Sequence, residues 1–165
     1  MDSNQKNVNE FANKLAEKTP IYEKILVVTA FVGLALKMSG IEFGAMIIIV
    51  SLLSLAMLSM IMAYTSPIKD ATPFDSFMFK SQSMGSSVAL VGILFLLLNW
   101  NGYSNMLTVG ILTLIIPIVY NLYKNKNTSL VLKPIIIISI AIVLYFTPKE
   151  TLHSLHIISN NLMVK

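Results

Sequence analysis

From Phe43 to Tyr64 the chain carries no charged side chain. A helix crosses the hydrocarbon of a bilayer with roughly 20 apolar residues at about 1.5 Å rise each, so this one run already has the length of a membrane span. Few soluble folds place so long a charge-free run in a chain of 165 residues, and the composition agrees: 55% of residues are hydrophobic, 12% are charged, and the mean hydropathy is +0.74. These values place the chain among integral membrane proteins.

Four further runs approach the same length: Ile25 to Ser39, Met84 to Leu98, Met106 to Tyr123 and Leu130 to Thr147. The last holds Lys133 and Pro134 in its first turn. A lysine there can snorkel to the headgroups, and a proline in a first turn loses no intrahelical bond; a shallow or re-entrant segment is the alternative. Pro117 predicts a kink in the fourth run, with the Thr113 hydroxyl helping to satisfy the disturbed backbone.

The expected fold class is an all-α integral membrane protein with about five transmembrane helices, arranged as two repeated hairpins plus one helix. The expected organisation is a single polytopic domain over 1–165. Residues 1–24 form a cytoplasmic amphipathic segment with Val8, Phe11 and Leu15 as its stripe; 25–64 form hairpin one, 73–123 hairpin two, 130–147 the fifth helix and 148–165 an interfacial tail. Phe74, Phe77 and Met78 give the start of the third span an amphipathic turn of its own.

Thr19-Pro20, Thr72-Pro73 and Thr147-Pro148 each offer an N-cap oxygen followed by a proline preset for a first helical turn. Thr147 to Glu150 has capping-box spacing, so a tail helix from Pro148 to about Leu162 is expected, with Leu152, Leu155, Ile158 and Leu162 toward the outer membrane surface.

Lysines set the orientation. Lys6, Lys14, Lys18 and Lys24 lead the chain, Lys69 and Lys80 follow the second run, and Lys124, Lys126 and Lys133 surround the start of the fifth; the other side has Lys37, Lys149 and Lys165. With five spans this predicts a cytoplasmic N-terminus. The first residues lack the pattern of a cleaved signal peptide, which leaves the first span as the expected insertion signal.

Several chemistries are excluded by residue type. The chain has no arginine, the residue whose planar fork reads phosphates and bases, so nucleic acid is not an expected partner. It has no cysteine, so disulfides and thiolate sites are out. Glu150, His153 and His156 share a helix face at three-residue spacing and can in principle ligate a metal. Glu150 is equally explained as a cap, and no metal or other cofactor is expected. Lys37 and Glu42 flank the first hairpin turn and read as solvated, with Lys37 an interface anchor beside Trp100, Tyr103 and Lys133. General acid-base or nucleophilic catalysis needs paired groups within reach, and none is evident, so the expectation is a protein that is not an enzyme.

Small residues mark the helix faces. Ser81, Gly85 and Ala89 recur at four-residue spacing with Gly92 near the same face; Ser51, Ser59 and Ala63 line a face of the second run; Gly33 and Gly110 complete the set. In lipid, such residues let helix backbones approach closely.

The stretches TAFVGLALKMSG (Thr29 to Gly40) and VALVGILFLLLNWNG (Val88 to Gly102) share a central glycine, about two further apolar turns and a glycine-containing break. Gly92, Leu94, Phe95, Trp100, Gly102, Met106, Leu107 and Gly110 stand in the register G-x-L-F-K-x-x-H-W-P-G-x-x-x-M-L-x-x-G. On these residues the second hairpin resembles the membrane hairpin of the GldL gliding-motility family of Bacteroidota; Gly33, Lys37 and Gly44 match it more loosely. Leu96, Asn99 and Asn101 replace the family's basic residue, histidine and proline, and Leu114 stands near its membrane glutamate. The resemblance implies a bacterial inner-membrane scaffold without the family's proton-driven motor role.

The expected function is a non-catalytic structural or accessory subunit of a bacterial inner-membrane complex. Its expected partners are the lipid bilayer and other membrane subunits or further copies of itself, reached through the small-residue faces. The competing expectations are a small transporter or channel lined by Ser51, Ser54, Ser59, Asn99 and Thr113, and an immunity-type membrane protein.

Overall fold

A computed structural model describes residues 3–64, 72–124, 128–155 and 157, with side chains described outside 3–17, 128–130, 149 and 153. The chain forms α1 (Ser3–Met38), α2 (Phe43–Met62), α3 (Pro73–Leu97), α4 (Tyr103–Lys124), α5 (Thr128–Phe146) and the short α6 (Lys149–Ser154). No strand occurs among the described residues.

Three of these helices, α2, α3 and α4, are long and apolar enough to cross a membrane. α1 has the length, but its apolar half also carries Glu23, Lys24 and Lys37, and the apolar part of α5, Val131–Phe146, is shorter. Large apolar side chains such as Phe31, Val50, Met57, Ile116 and Val143 are exposed around the perimeter, as a bundle surrounded by lipid requires.

α3 is the central helix: it packs against α2, α4 and α5, while α4 also touches α5 and, among the described residues, α1 packs only on α2. More than half of its most apolar stretch is buried, 56%, against 28% for α4. Ile48, Leu52 and Leu55 from α2 meet Leu90, Ile93 and Leu94 from α3 in the core.

α1 and α3 end in the same way. Gly40 (φ 79°) and Asn99 (φ 55°) are left-handed. Their amides return to the Lys37 and Leu96 carbonyls, and the amides of Ile41 and Trp100 return to Leu36 and Phe95. This paired pattern is the Schellman termination. Gly40 is therefore equivalent to Asn99, each seven residues past its helix glycine (33 to 40, 92 to 99), and not to Gly102, the counterpart suggested by the repeated glycines. Gly102 (φ 91°) supplies the extra turn residue of the second crown.

The start signals act unequally. Thr72 makes the capping box: its Oγ1 accepts from the Asp75 amide at 3.2 Å and its own amide donates to Asp75 Oδ2 at 3.0 Å. Thr19-Pro20 starts nothing, because α1 runs straight through it. The backbone bond that Pro20 removes is tolerated in a helix held by α2, where the buried Thr19 hydroxyl reaches Met62 Sδ at 3.5 Å. Thr147 turns its hydroxyl back to the Val143 carbonyl at 2.6 Å, and α6 ends at Ser154. The expected tail beyond 157 lies outside the described residues, as do the stripe side chains of Val8, Phe11 and Leu15. α5 begins at Thr128, which moves Pro134 out of the first turn, so it does remove an intrahelical bond.

Candidate functional site

Each hairpin closes on a glycine that admits the backbone of its partner helix. A Cβ on Gly44 would lie 2.5 Å from the Lys37 amide nitrogen and 2.6 Å from the Gly33 carbonyl oxygen. In the second hairpin a Cβ on Gly110 would lie 2.7 Å from the Ala89 amide nitrogen, while Gly85 faces Leu114 and Thr113, and Gly92 faces Leu107. Gly33 in turn receives Ile47 and Ile48. Ala63 is buried at the end of α2, and Ser81 is half-buried beside this seam. These faces are thus occupied within the chain.

Lys37 is not a solvated anchor and does not turn toward the exposed Glu42. It is 8% exposed, and its Nζ donates to the Leu97 carbonyl at 3.0 Å. Leu98, Trp100 and Asn99 amides satisfy the carbonyls of Leu94, Phe95 and Leu96, so Lys37 completes the accounting of the last four acceptors of α3. A cation at a helix C-terminus also meets the negative end of its dipole. Because this bond joins the end of α1 to the end of α3, the two hairpin crowns lie at the same end of the bundle.

Polar bonds tie the opposite end. Asp75 Oδ1 accepts from Tyr120 at 2.7 Å and from Lys124 at 2.8 Å, and deeper in the seam Asn121 donates to Gln82 at 2.9 Å with both residues buried. Phe74 stands edge-on to Tyr120, ring centres 5.0 Å apart.

Lys133, its side chain 39% exposed, pairs within the chain. It forms an ion pair with Glu23 of α1 and reaches Ser59 Oγ of α2 at 3.4 Å. The pair bridges a cleft of about 190 Å³ whose walls include Thr19, Ser59, Gln82, Ser83 and Ser86. Among the described residues α1 and α5 do not pack on one another, so the two long side chains span an open gap between four helices. Buried Ile48, Leu52, Leu55, Leu90 and Ile93 occupy the bundle between this cleft and the crowns. It is the chain's candidate functional site, and its acid and base are 110 residues apart, too far for sequence spacing to relate them.

The set Ser51, Ser54, Ser59, Asn99 and Thr113 does not form one path. Ser59 faces the cleft, Asn99 terminates α3 at the other end, Ser51 bonds the Ile47 carbonyl, and Thr113 donates to Val109 at 2.7 Å and not toward the position disturbed by Pro117. Trp100 is 51% exposed at its crown, edge-on to Phe95. Tyr103 is half-buried and lines a small crevice with Leu96, Leu144 and Tyr145. The described residues include no metal-holding group; the side chains of His153 and His156 lie outside them.

No protein-family model matches the chain, and no curated protein or solved structure matches it.

Proposed function

We propose that the protein is a multi-pass subunit of a bacterial inner membrane, with α1 to α5 all crossing, the N-terminus cytoplasmic and both crowns outside, and that its role is structural or accessory and not catalytic. The observation that carries this reading is the use of the charges within the helices. Lys37 holds the end of α3, and Asp75 and Lys124 hold α3 to α4, so these groups join helices into one body. The resemblance to the GldL scaffold fits this reading: Leu114, near the family's acid, is fully buried at the seam beside Gly85, and a leucine cannot titrate.

Since the small-residue faces are taken up internally, a protein partner would meet the outer apolar sides. α1 offers the most, because among the described residues it packs only on α2. Native mass spectrometry after extraction in mild detergent tests the proposal. A retained second subunit or a further copy is the expected result, and a lone monomer under every extraction condition would sink it.

The polar cleft favours a carrier as the second reading. The packed core between cleft and crowns means that transport would require the helices to rearrange. Solute flux into proteoliposomes distinguishes a carrier from a subunit.

A further inference from the structure

The cleft between α1 and α5 is larger than packing accounts for. Interiors are close-packed, and a water needs only about 10–15 Å³ of such space, so about 190 Å³ accommodates a solute group. Its walls combine apolar side chains, Pro20, Met62, Phe79 and Pro134, with a polar set that includes Ser59, Ser83 and Ser86. Ser83 and Ser86 are 8% and 3% exposed, and both line the cleft. Facing them is a base and an acid brought from different helices, Lys133 and Glu23, with Ser59 Oγ 3.4 Å from the lysine.

A buried or half-buried ion pair that serves only stability is commonly matched by apolar packing, and here the packing is left out. We infer that the cleft binds a small zwitterion bearing a primary ammonium and an oxyanion, the chemistry of phosphoethanolamine. Glu23 receives the ammonium, Lys133 and the Ser59 hydroxyl receive the anionic group, and Ser83 and Ser86 bond the oxygens between them. The ligand's two charges replace the two that pair in its absence, so neither side chain is left buried and uncompensated. Ser59 stands one turn from the end of α2 and Lys133 about one and a half turns from the start of α5, which puts the site at headgroup depth. The ammonium and phosphate can therefore come from a phosphatidylethanolamine headgroup or from a free solute.

The test uses the full chain in nanodiscs. With equal phosphatidylethanolamine and phosphatidylcholine, native mass spectrometry should show at least tenfold preferential retention of the ethanolamine lipid, because a quaternary ammonium cannot donate a hydrogen bond to Glu23. In discs of phosphatidylcholine alone, free phosphoethanolamine should raise the melting temperature more than phosphocholine does. Preference in the first arm identifies a lipid headgroup and preference only in the second a free solute. Glu23→Gln should abolish the preference. Ser86→Leu, which leaves the ion pair in place and fills the cleft, should abolish it with helicity and melting temperature retained, so the test stands even if Glu23→Gln misfolds. Equal binding of the ethanolamine and choline forms in both arms, or a preference that survives Ser86→Leu in a folded protein, overturns the assignment.

Discussion

The two hairpins share a register and differ in what holds them. In α1–α2 the helices meet backbone to backbone at Gly33 and Gly44, and the hairpin reaches the rest of the bundle through α2, the Lys37 bond and the Glu23–Lys133 pair. In α3–α4 the seam of Gly85, Ala89, Gly92 and Gly110 continues into the polar pairs Gln82–Asn121 and Asp75–Lys124. The equivalent of Lys37 is Leu96, which lines the crevice against Leu144 and Tyr145 of α5. One position thus faces the next unit in both hairpins. Where that unit presents a bare helix end the residue is a lysine, and where it presents side chains the residue is a leucine.

Substitutions at the closest backbone approaches have the largest expected effect. Gly44→Ala and Gly110→Ala each place a Cβ against backbone that cannot rotate away, and each is expected to destabilise the protein by about 3 kcal/mol in a reversible SDS unfolding titration. A much smaller loss at Gly44 than at Gly110 would mean that the first hairpin is looser than its geometry indicates. Next, Lys37→Met leaves the Leu97 carbonyl without its donor and is expected to cost roughly 2 kcal/mol in the same titration. Leu96→Met changes only packing and is expected to cost under about 1.5 kcal/mol; equal losses would remove the distinction between the two positions.

Gln82→Leu removes the acceptor of the Asn121 amide and is expected to cost about 1 kcal/mol, while Gln82→Leu with Asn121→Leu should recover much of it. A double-mutant cycle with no coupling would contradict the bond. The smallest effect is expected at the crown. Gly40→Asn places at the left-handed position the residue that Asn99 already supplies there, and should cost less than about 1 kcal/mol. Gly40→Val should cost more, because a β-branched residue resists positive φ.

The helix breaks near 40 and 100, the small-residue faces and the repeat were legible in the sequence because each depends on local spacing. The partners of the charged residues were not. Lys37 reads as a turn residue until α3 is placed beside it, and Glu23 and Lys133 read as flanks of separate apolar runs. Thr19-Pro20 and Thr72-Pro73 look alike in sequence, yet only the second starts a helix: a helix already supported by α2 passes through a proline, whereas Asp75 completes a reciprocal cap. Even the repeat was aligned by its glycines, when the backbone equivalence is between a glycine and an asparagine that share a left-handed conformation.

Labelling of single cysteines tests the parallel hairpins most directly, since the natural chain contains no cysteine. Glu42→Cys and Asn101→Cys sit in the two crowns, and Tyr123→Cys lies at the opposite end, exposed. Both crown cysteines should react with a membrane-impermeant maleimide in intact spheroplasts, and Tyr123→Cys only after permeabilisation. Crowns that label from opposite sides of the membrane would contradict the Lys37 bridge and the parallel arrangement together.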